Sequence, residues 1–235
     1  ARTRPWAPDT LVDFYSVGKA FIGLLALQLV DAGRLGLDDP IASVWPEFAA
    51  GGKEAATLRQ ALCHRAGVPA IHERLTNDDL WSWDRMVTAL AHTEAWWEPG
   101  SRHAYHTNTY GFLLGEVVRR LTGTMPGTRL RAVAEPVGAD VWFGVPTAVQ
   151  PRCAEVIWGP GDLTGMFDLD ELEGDALMEA MSYVNPPGFS SMGVVNTARW
   201  RSAQVPSTNG HGTAAGVARL YAALALPLDA PLTAT

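Results

Sequence analysis

Asp13-Phe14-Tyr15-Ser16-Val17-Gly18-Lys19-Ala20-Phe21 is the stretch on which the fold of this chain is decided. It holds a Ser-x-x-Lys pattern and runs into Phe21, Ile22, Leu24, Leu25, Leu27, Leu29 and Val30. Residues three apart on a helix share a face, so Ser16 and Lys19 can touch if Ser16 opens the helix. A serine hydroxyl is a weak nucleophile until a neighbouring base removes its proton. Burial depresses the pKa of a lysine, and the apolar run after Lys19 is where such burial would occur. With 9 Ser and 2 Lys among 235 residues, chance gives about 0.08 occurrences of the pattern. Basic-residue usage sharpens it: 16 are Arg, and only Lys19 and Lys53 are Lys. Arginine stays protonated in proteins, whereas lysine can be tuned into a base. The plainer alternative is a lysine that snorkels out of an ordinary amphipathic helix.

Composition narrows the function classes. A net charge of −7 and the lack of a basic run argue against nucleic-acid binding. The longest apolar run, Phe21 to Val30, is broken by Gln28 and ends at Asp31, too short for a membrane span. Cys63 and Cys153 form neither a disulfide framework nor a metal-ligand pattern. They read as buried small residues in a reducing compartment and, with no leader pattern visible, point to the cytoplasm. No cofactor and no metal are expected.

Outward from the Ser-x-x-Lys stretch, Leu11 to Tyr15 reads as extended and Ser16 to Gly33 as the first helix, stopped by Gly33 and Gly36. Further helices are expected over 57–63 with Thr57 as N-cap, over 76–91, over 107–121 ended by Gly123, over 170–181 and over 213–226. Val141 to Val145 reads as a short strand, and 185–206 as loop. From Pro227 the chain reads as a ragged end. Pattern alone would make the protein mostly α.

A second stretch, Trp97-Glu98-Pro99-Gly100-Ser101-Arg102-His103-Ala104-Tyr105-His106-Thr107, leads into the 107–121 helix. A tyrosine just after a Pro-Gly turn can hang its hydroxyl into a cleft. A nearby ammonium favours its phenolate form, so Tyr105 and Lys19 in one cleft would tune each other. Packing at a helix end is the simpler role for the same residue.

Taken in order, Ser16-Val17-Gly18-Lys19, Leu35-Gly36-Leu37-Asp38-Asp39-Pro40, Leu58 to Pro69, Trp97-Glu98-Pro99-Gly100 with Tyr105-His106, and Pro206 to Ala214 resemble the serine β-lactamase-like superfamily. Within it the likeness is to family VIII carboxylesterases, relatives of class C β-lactamases. The resemblance implies an α/β (α+β) fold of the β-lactamase/DD-peptidase type, of which this chain covers mainly the helical part. It implies one hydrolase domain over 1–235, incomplete at both ends. It also implies Ser16 as acylated nucleophile, Lys19 as its base, Tyr105 as second proton shuttle and the Ser16 N–H as half of an oxyanion hole. A small-molecule ester is the expected substrate. Two departures stand out. Where class C enzymes have Tyr-x-Asn, the third position here is Thr107 and Asn108 follows. The Lys-Thr-Gly strand motif and its His-Gly-Gly substitutes are absent, so the chain is expected to be the middle of a longer protein or a shortened version.

Other residues carry paired readings. His106 can orient Tyr105 or pack beneath the helix, Asn108 can bind substrate or cap its helix, and His211 can line the pocket. His64, His72, His92 and His103 read as loop or surface histidines. Trp81, Trp83, Trp96 and Trp97 can line an acyl pocket or form core. Asp168, Asp170, Glu171 and Glu173 read as a solvated face rather than a deacylating base. Three functions remain open: an esterase, a β-lactamase or D-alanyl peptidase, and a non-catalytic ligand- or partner-binding homologue.

Overall fold

The structure, a computed structural model, describes residues 5–157 and 168–225; the expected ragged end from Pro227 lies outside them. Strand β1 (Val12–Asp13) leads through a 3-10 turn (Tyr15–Val17) into α1 (Gly18–Asp31). Helices α2 (Leu58–Leu62), α3 (Asn77–Leu80), α4 (Trp83–His92), α5 (Thr109–Thr122) and α6 (Pro126–Ala134) follow. Then come β2 (Val141–Phe143), α7 (Gly174–Val184), α8 (Ala198–Ser202), β3 (Gly210–Gly212) and α9 (Ala214–Ala225).

The α1 helix buries Phe21, Ile22, Leu25, Ala26 and Leu29, the spacing of one helical face, and leaves Leu27 exposed. Fully burying one such side chain contributes about 1.5–3 kcal/mol. Past its end, Gly33 takes a φ of +65°, and Arg34 N–H returns to Leu29 O at 2.8 Å. Helix α1 packs on α5 and α6, and α4 packs on the outer side of α5. The α5 helix ends as expected at Gly123, in the left-handed region.

A small antiparallel sheet of order β1-β3-β2 closes one end of α1. Val12 pairs with Gly212 and Asp13 with His211, while Phe143 faces Gly210. The sheet makes the chain α+β rather than all α. Strand β3 escaped the sequence pattern because Gly-His-Gly has no alternation to read. A Cβ on Gly210 would sit 2.0 Å from the Phe14 ring, which is why glycine is needed there.

Other expectations are corrected. The helix expected over 76–91 is two helices, each with its own cap: Thr76 caps α3 and Ser82 caps α4. The helix expected over 170–181 starts later, at Gly174. Helix α6, not anticipated, opens on Pro126, where a missing N–H is harmless. Helix α8 interrupts the expected 185–206 loop, with the Thr197 hydroxyl accepting from Trp200 N–H at 3.1 Å. Cys153 is buried, but Cys63 is exposed at the end of α2. No helix of the described residues is long and apolar enough to cross a membrane.

Two charged groups are built into the core. Lys53 is buried and donates to the carbonyls of Ala50, Ala91 and Thr93. Glu116 on α5 is fully buried and accepts from Trp83 Nε1 at 2.9 Å, Arg119 Nε at 2.7 Å and Arg120 Nε at 2.8 Å. These donors hold its carboxyl below the usual carboxylate range against the opposing effect of burial. Replacing Glu116 with Ala is expected to lower unfolding stability by about 2 kcal/mol, because the half-buried Trp83 N–H and the two arginines lose their acceptor. Urea denaturation of parent and variant checks this.

Candidate active site

The turn before α1 sets the geometry. Tyr15 has a φ of +48°, uncommon for a residue with a side chain, and Ser16 follows it on an exposed turn. Lys19 lies one helical turn on and is buried. Its Nζ donates to Ser16 Oγ at 3.2 Å and to Ser207 O at 3.1 Å. The expected contact between the two motif residues is therefore present. Burial lowers the Lys19 pKa to about 7.

Two glycines bring the Ser207 backbone so near. A Cβ at Gly18 would lie 2.3 Å from Pro206 O, and one at Gly111 would lie 2.6 Å from Ser207 N. Gly111 N–H in turn donates to Ser207 Oγ at 2.6 Å. Segment 206–208 is thus pinned between α1 and α5.

Tyr105 is delivered by two interlocked loops. Trp96 N–H donates to Gly67 O at 2.8 Å, Gly100 N–H to Arg65 O at 2.9 Å and His106 N–H to His64 Nδ1 at 3.1 Å. Tyr105 stays part-exposed, and Lys19 Nζ lies over its ring, 4.7 Å from the centroid. A ring face attracts an ammonium, so this contact favours the charged lysine that burial disfavours.

The three candidate substrate-binding residues, His106, Asn108 and His211, are all buried. His106 is fully buried; its Nε2 accepts from Val68 N–H at 3.2 Å and its Nδ1–H donates to Ala104 O at 2.8 Å. Both nitrogens serve the backbone, so His106 shapes the loop and has none left for a substrate. Asn108 is also fully buried; it stands at the N-cap position of α5, but its side chain makes no capping hydrogen bond. Its Nδ2 donates to Ser182 O at 2.9 Å and Ser190 Oγ at 2.8 Å, and its Oδ1 accepts from Thr208 Oγ1. It ties α5 to α7 and to the 206–208 segment. His211 lies buried on β3, its Nδ1 against Asn209 O at 2.8 Å, and burial lowers its pKa to about 4.

His64 is the residue that sequence reasoning missed. It has a φ of +59°, and its ring packs 4.8 Å from that of Tyr105 and 4.6 Å from that of Tyr110. Burial, then the charge of Lys19, lowers its pKa to about 4, so it walls the site as a neutral ring. Its only sequence signal was its place in a stretch of the resemblance, since no periodicity marks a loop residue. His72, His92 and His103 are exposed, as expected.

A cavity of about 170 Å³ opens beside Tyr105, lined by Pro69, Thr107, Met178, Glu179, Ser182 and Tyr183 among others. Of the four tryptophans, Trp83 packs on Phe112 and Trp97 joins Met178 and Met181 in a small cluster behind that cavity. Asp168, Asp170, Glu171 and Glu173 are exposed. Among the described residues no group of His, Cys, Asp and Glu is arranged to hold a metal ion.

A family model described as Beta-lactamase matches residues 1–234. Esterase/beta-lactamase LipL of Mycobacterium tuberculosis (strain ATCC 25618 / H37Rv) is 31% identical over 234 residues, covering 94% of this chain and 52% of LipL. A structure of a penicillin-binding protein homolog from Caulobacter crescentus superposes with a TM-score of 0.83 at 38% identity, over 95% of this chain and 58% of its own. A family VIII carboxylesterase structure gives 0.84 at 35% identity, over 95% and 58%. The chain thus spans about half the length of LipL.

With two lysines in the chain, the protonation of Lys19 can be read directly. Amine acetylation at Lys19, mapped by mass spectrometry, is expected to rise with pH through a midpoint near 7. A midpoint at the ordinary lysine value of ~10.4 would mean that Lys19 is not desolvated.

Proposed function

This chain belongs to the beta-lactamase family, and on that footing we propose that it is a serine hydrolase that cleaves carboxylic esters through an acyl-enzyme on Ser16. One observation carries the proposal: the exposed Ser16 hydroxyl lies 3.2 Å from an amine whose pKa burial has lowered to about 7. Near neutral pH about half of Lys19 is free of its proton, and above it most is. It takes the hydroxyl proton as Ser16 Oγ attacks the ester carbonyl. The Ser16 backbone N–H supplies one donor to the oxyanion. On collapse of the intermediate the alkoxide leaves with a proton returned from Lys19 by way of the Tyr105 hydroxyl. Water, deprotonated by the same pair, then attacks the acyl carbonyl and frees Ser16.

Ester rather than β-lactam cleavage is favoured by Thr107 at the place where class C enzymes carry the Asn of Tyr-x-Asn, and by the buried, fully engaged position of Asn108. The likeness to a penicillin-binding protein homolog supports a second reading, hydrolysis of a β-lactam or a D-alanyl peptide. A short p-nitrophenyl ester assayed against a cephalosporin separates the two. Faster ester turnover is expected.

Ser16→Ala is expected to abolish both ester turnover and the mass adduct left by a fluorophosphonate, with the fold intact; a labelled variant would remove Ser16 from the mechanism. Lys19→Arg should be nearly as damaging as Lys19→Ala, since a permanent cation accepts no proton. Tyr105→Phe keeps the ring under the ammonium and removes only the hydroxyl. It is expected to lower kcat by about 10²–10⁴, the range of a general acid–base group. Normal turnover would reduce Tyr105 to its ring contact.

A further inference from the structure

The turn that presents Ser16 is held from behind by a carboxylate. Asp13 Oδ1 accepts the Tyr15 backbone N–H at 2.9 Å, and its Oδ2 accepts Trp200 Nε1–H at 2.9 Å. Tyr15 is the residue with a φ of +48°, immediately before Ser16. A residue with a side chain is strained in that region, so something must hold it there. The neighbouring contacts fix its flanks. Phe14 N–H donates to Gly210 O at 2.8 Å, and the Tyr15 hydroxyl lies 3.1 Å from Ser191 Oγ. Trp200 is fully buried, and its carbonyl accepts from Asn209 Nδ2 at 2.8 Å, so the indole donor is itself anchored.

We propose that Asp13 is a positioning residue for Ser16, its carboxylate accepting the Tyr15 and Trp200 N–H groups together and so holding the left-handed residue from which the nucleophile projects. The inference rests on Ser16 being the nucleophile. Its chemical basis is the count of acceptors. Both partners are N–H donors, and neither can accept. A carboxylate serves both; an amide offers one oxygen and turns its NH2 against the other donor. Burial raises the Asp13 carboxyl to about 7, and the two hydrogen bonds act against that rise, as a clamp on the ionised form would.

Because Lys19 titrates in the same range, the test is run at alkaline pH, where both groups are deprotonated. Asp13→Asn is expected to lower kcat for a p-nitrophenyl ester, and the rate of fluorophosphonate labelling of Ser16, about 10–100-fold, the scale of a small misplacement of a reacting group. KM should stay within about twofold. Trp200→Phe alone should cost less than about threefold, because the carboxylate still holds Tyr15. The double variant decides. Without the indole donor the introduced amide's oxygen is free to take the Tyr15 N–H, so Trp200→Phe should restore much of what Asp13→Asn lost. Further loss in the double variant, or a normal kcat in Asp13→Asn, overturns the proposal. If Asp13→Asn does not fold, Trp200→Phe still tests the clamp by carboxyl NMR: the Asp13 titration should move to higher pH, and an unmoved titration overturns it. Ser16→Ala keeps the two levels apart. Labelling retained there removes the nucleophile itself, and Asp13's role with it; labelling lost there, with Asp13→Asn unimpaired, removes the positioning role alone.

Discussion

An ammonium with little water around it is the constraint on which this structure depends. Lys19 has three neighbours, the Ser16 hydroxyl, the Ser207 carbonyl and the Tyr105 ring face, and each comes from a different part of the chain. Taking an ammonium out of water is expensive, and without partners the group gives up its proton. Here the partners are few and mostly uncharged, so the lysine sits between its two protonation states. Much of the surrounding architecture keeps that balance. The glycines at 18 and 111 allow the 206–208 backbone to come close, and the interlocked loops at 64–69 and 95–106 carry the tyrosine over it.

The histidines complete the same arrangement by staying neutral. His64 and His106 share a hydrogen bond, and burial keeps both well below their ordinary pKa. A protonated imidazole at 64 would push the Lys19 proton off and would lose the lone pair that accepts the His106 N–H. Enclosing them in tyrosine and tryptophan rings avoids both. Their work is steric and dielectric, which explains why histidines in this loop need not act as acids or bases.

What could be read from the residues was what depends on spacing. The Ser16–Lys19 contact follows from a separation of three on one face, and the long helices α1 and α5 follow from apolar period and a glycine stop. The resemblance pointed to Tyr105, and Thr57 announced the start of α2 as its N-cap. What escaped were features that exist only after the chain has closed on itself. Strand β3 is glycine and histidine with no alternation, and is a strand because β1 and β2 flank it. Asn108 looked like a cap or a ligand and is instead a buried tie among three segments. Asp13 carried no sign of its two donors, since Trp200 lies 187 residues away. Lys53, the chain's other lysine, carried no sign of the three converging carbonyls that make it a staple.

The cavity beside Tyr105 divides its labour between elements. The residues around the Lys19 amine belong to α1, the 206–208 segment and the Tyr105 loop, whereas Met178, Glu179 and Tyr183 come from α7. Ser182 on that face is hydrogen-bonded back, through Thr107 Oγ1 at 3.2 Å and Asn108 Nδ2 at 2.9 Å. The helix is docked by Ser182, by Met178 and Met181 against Trp97 and by Asp175 on Arg102, while Glu179 and Tyr183 stay exposed. Such an arrangement lets a lineage drift in what it admits while the chemistry beneath stays the same. It makes the exposed face of α7 a natural place to begin directed evolution.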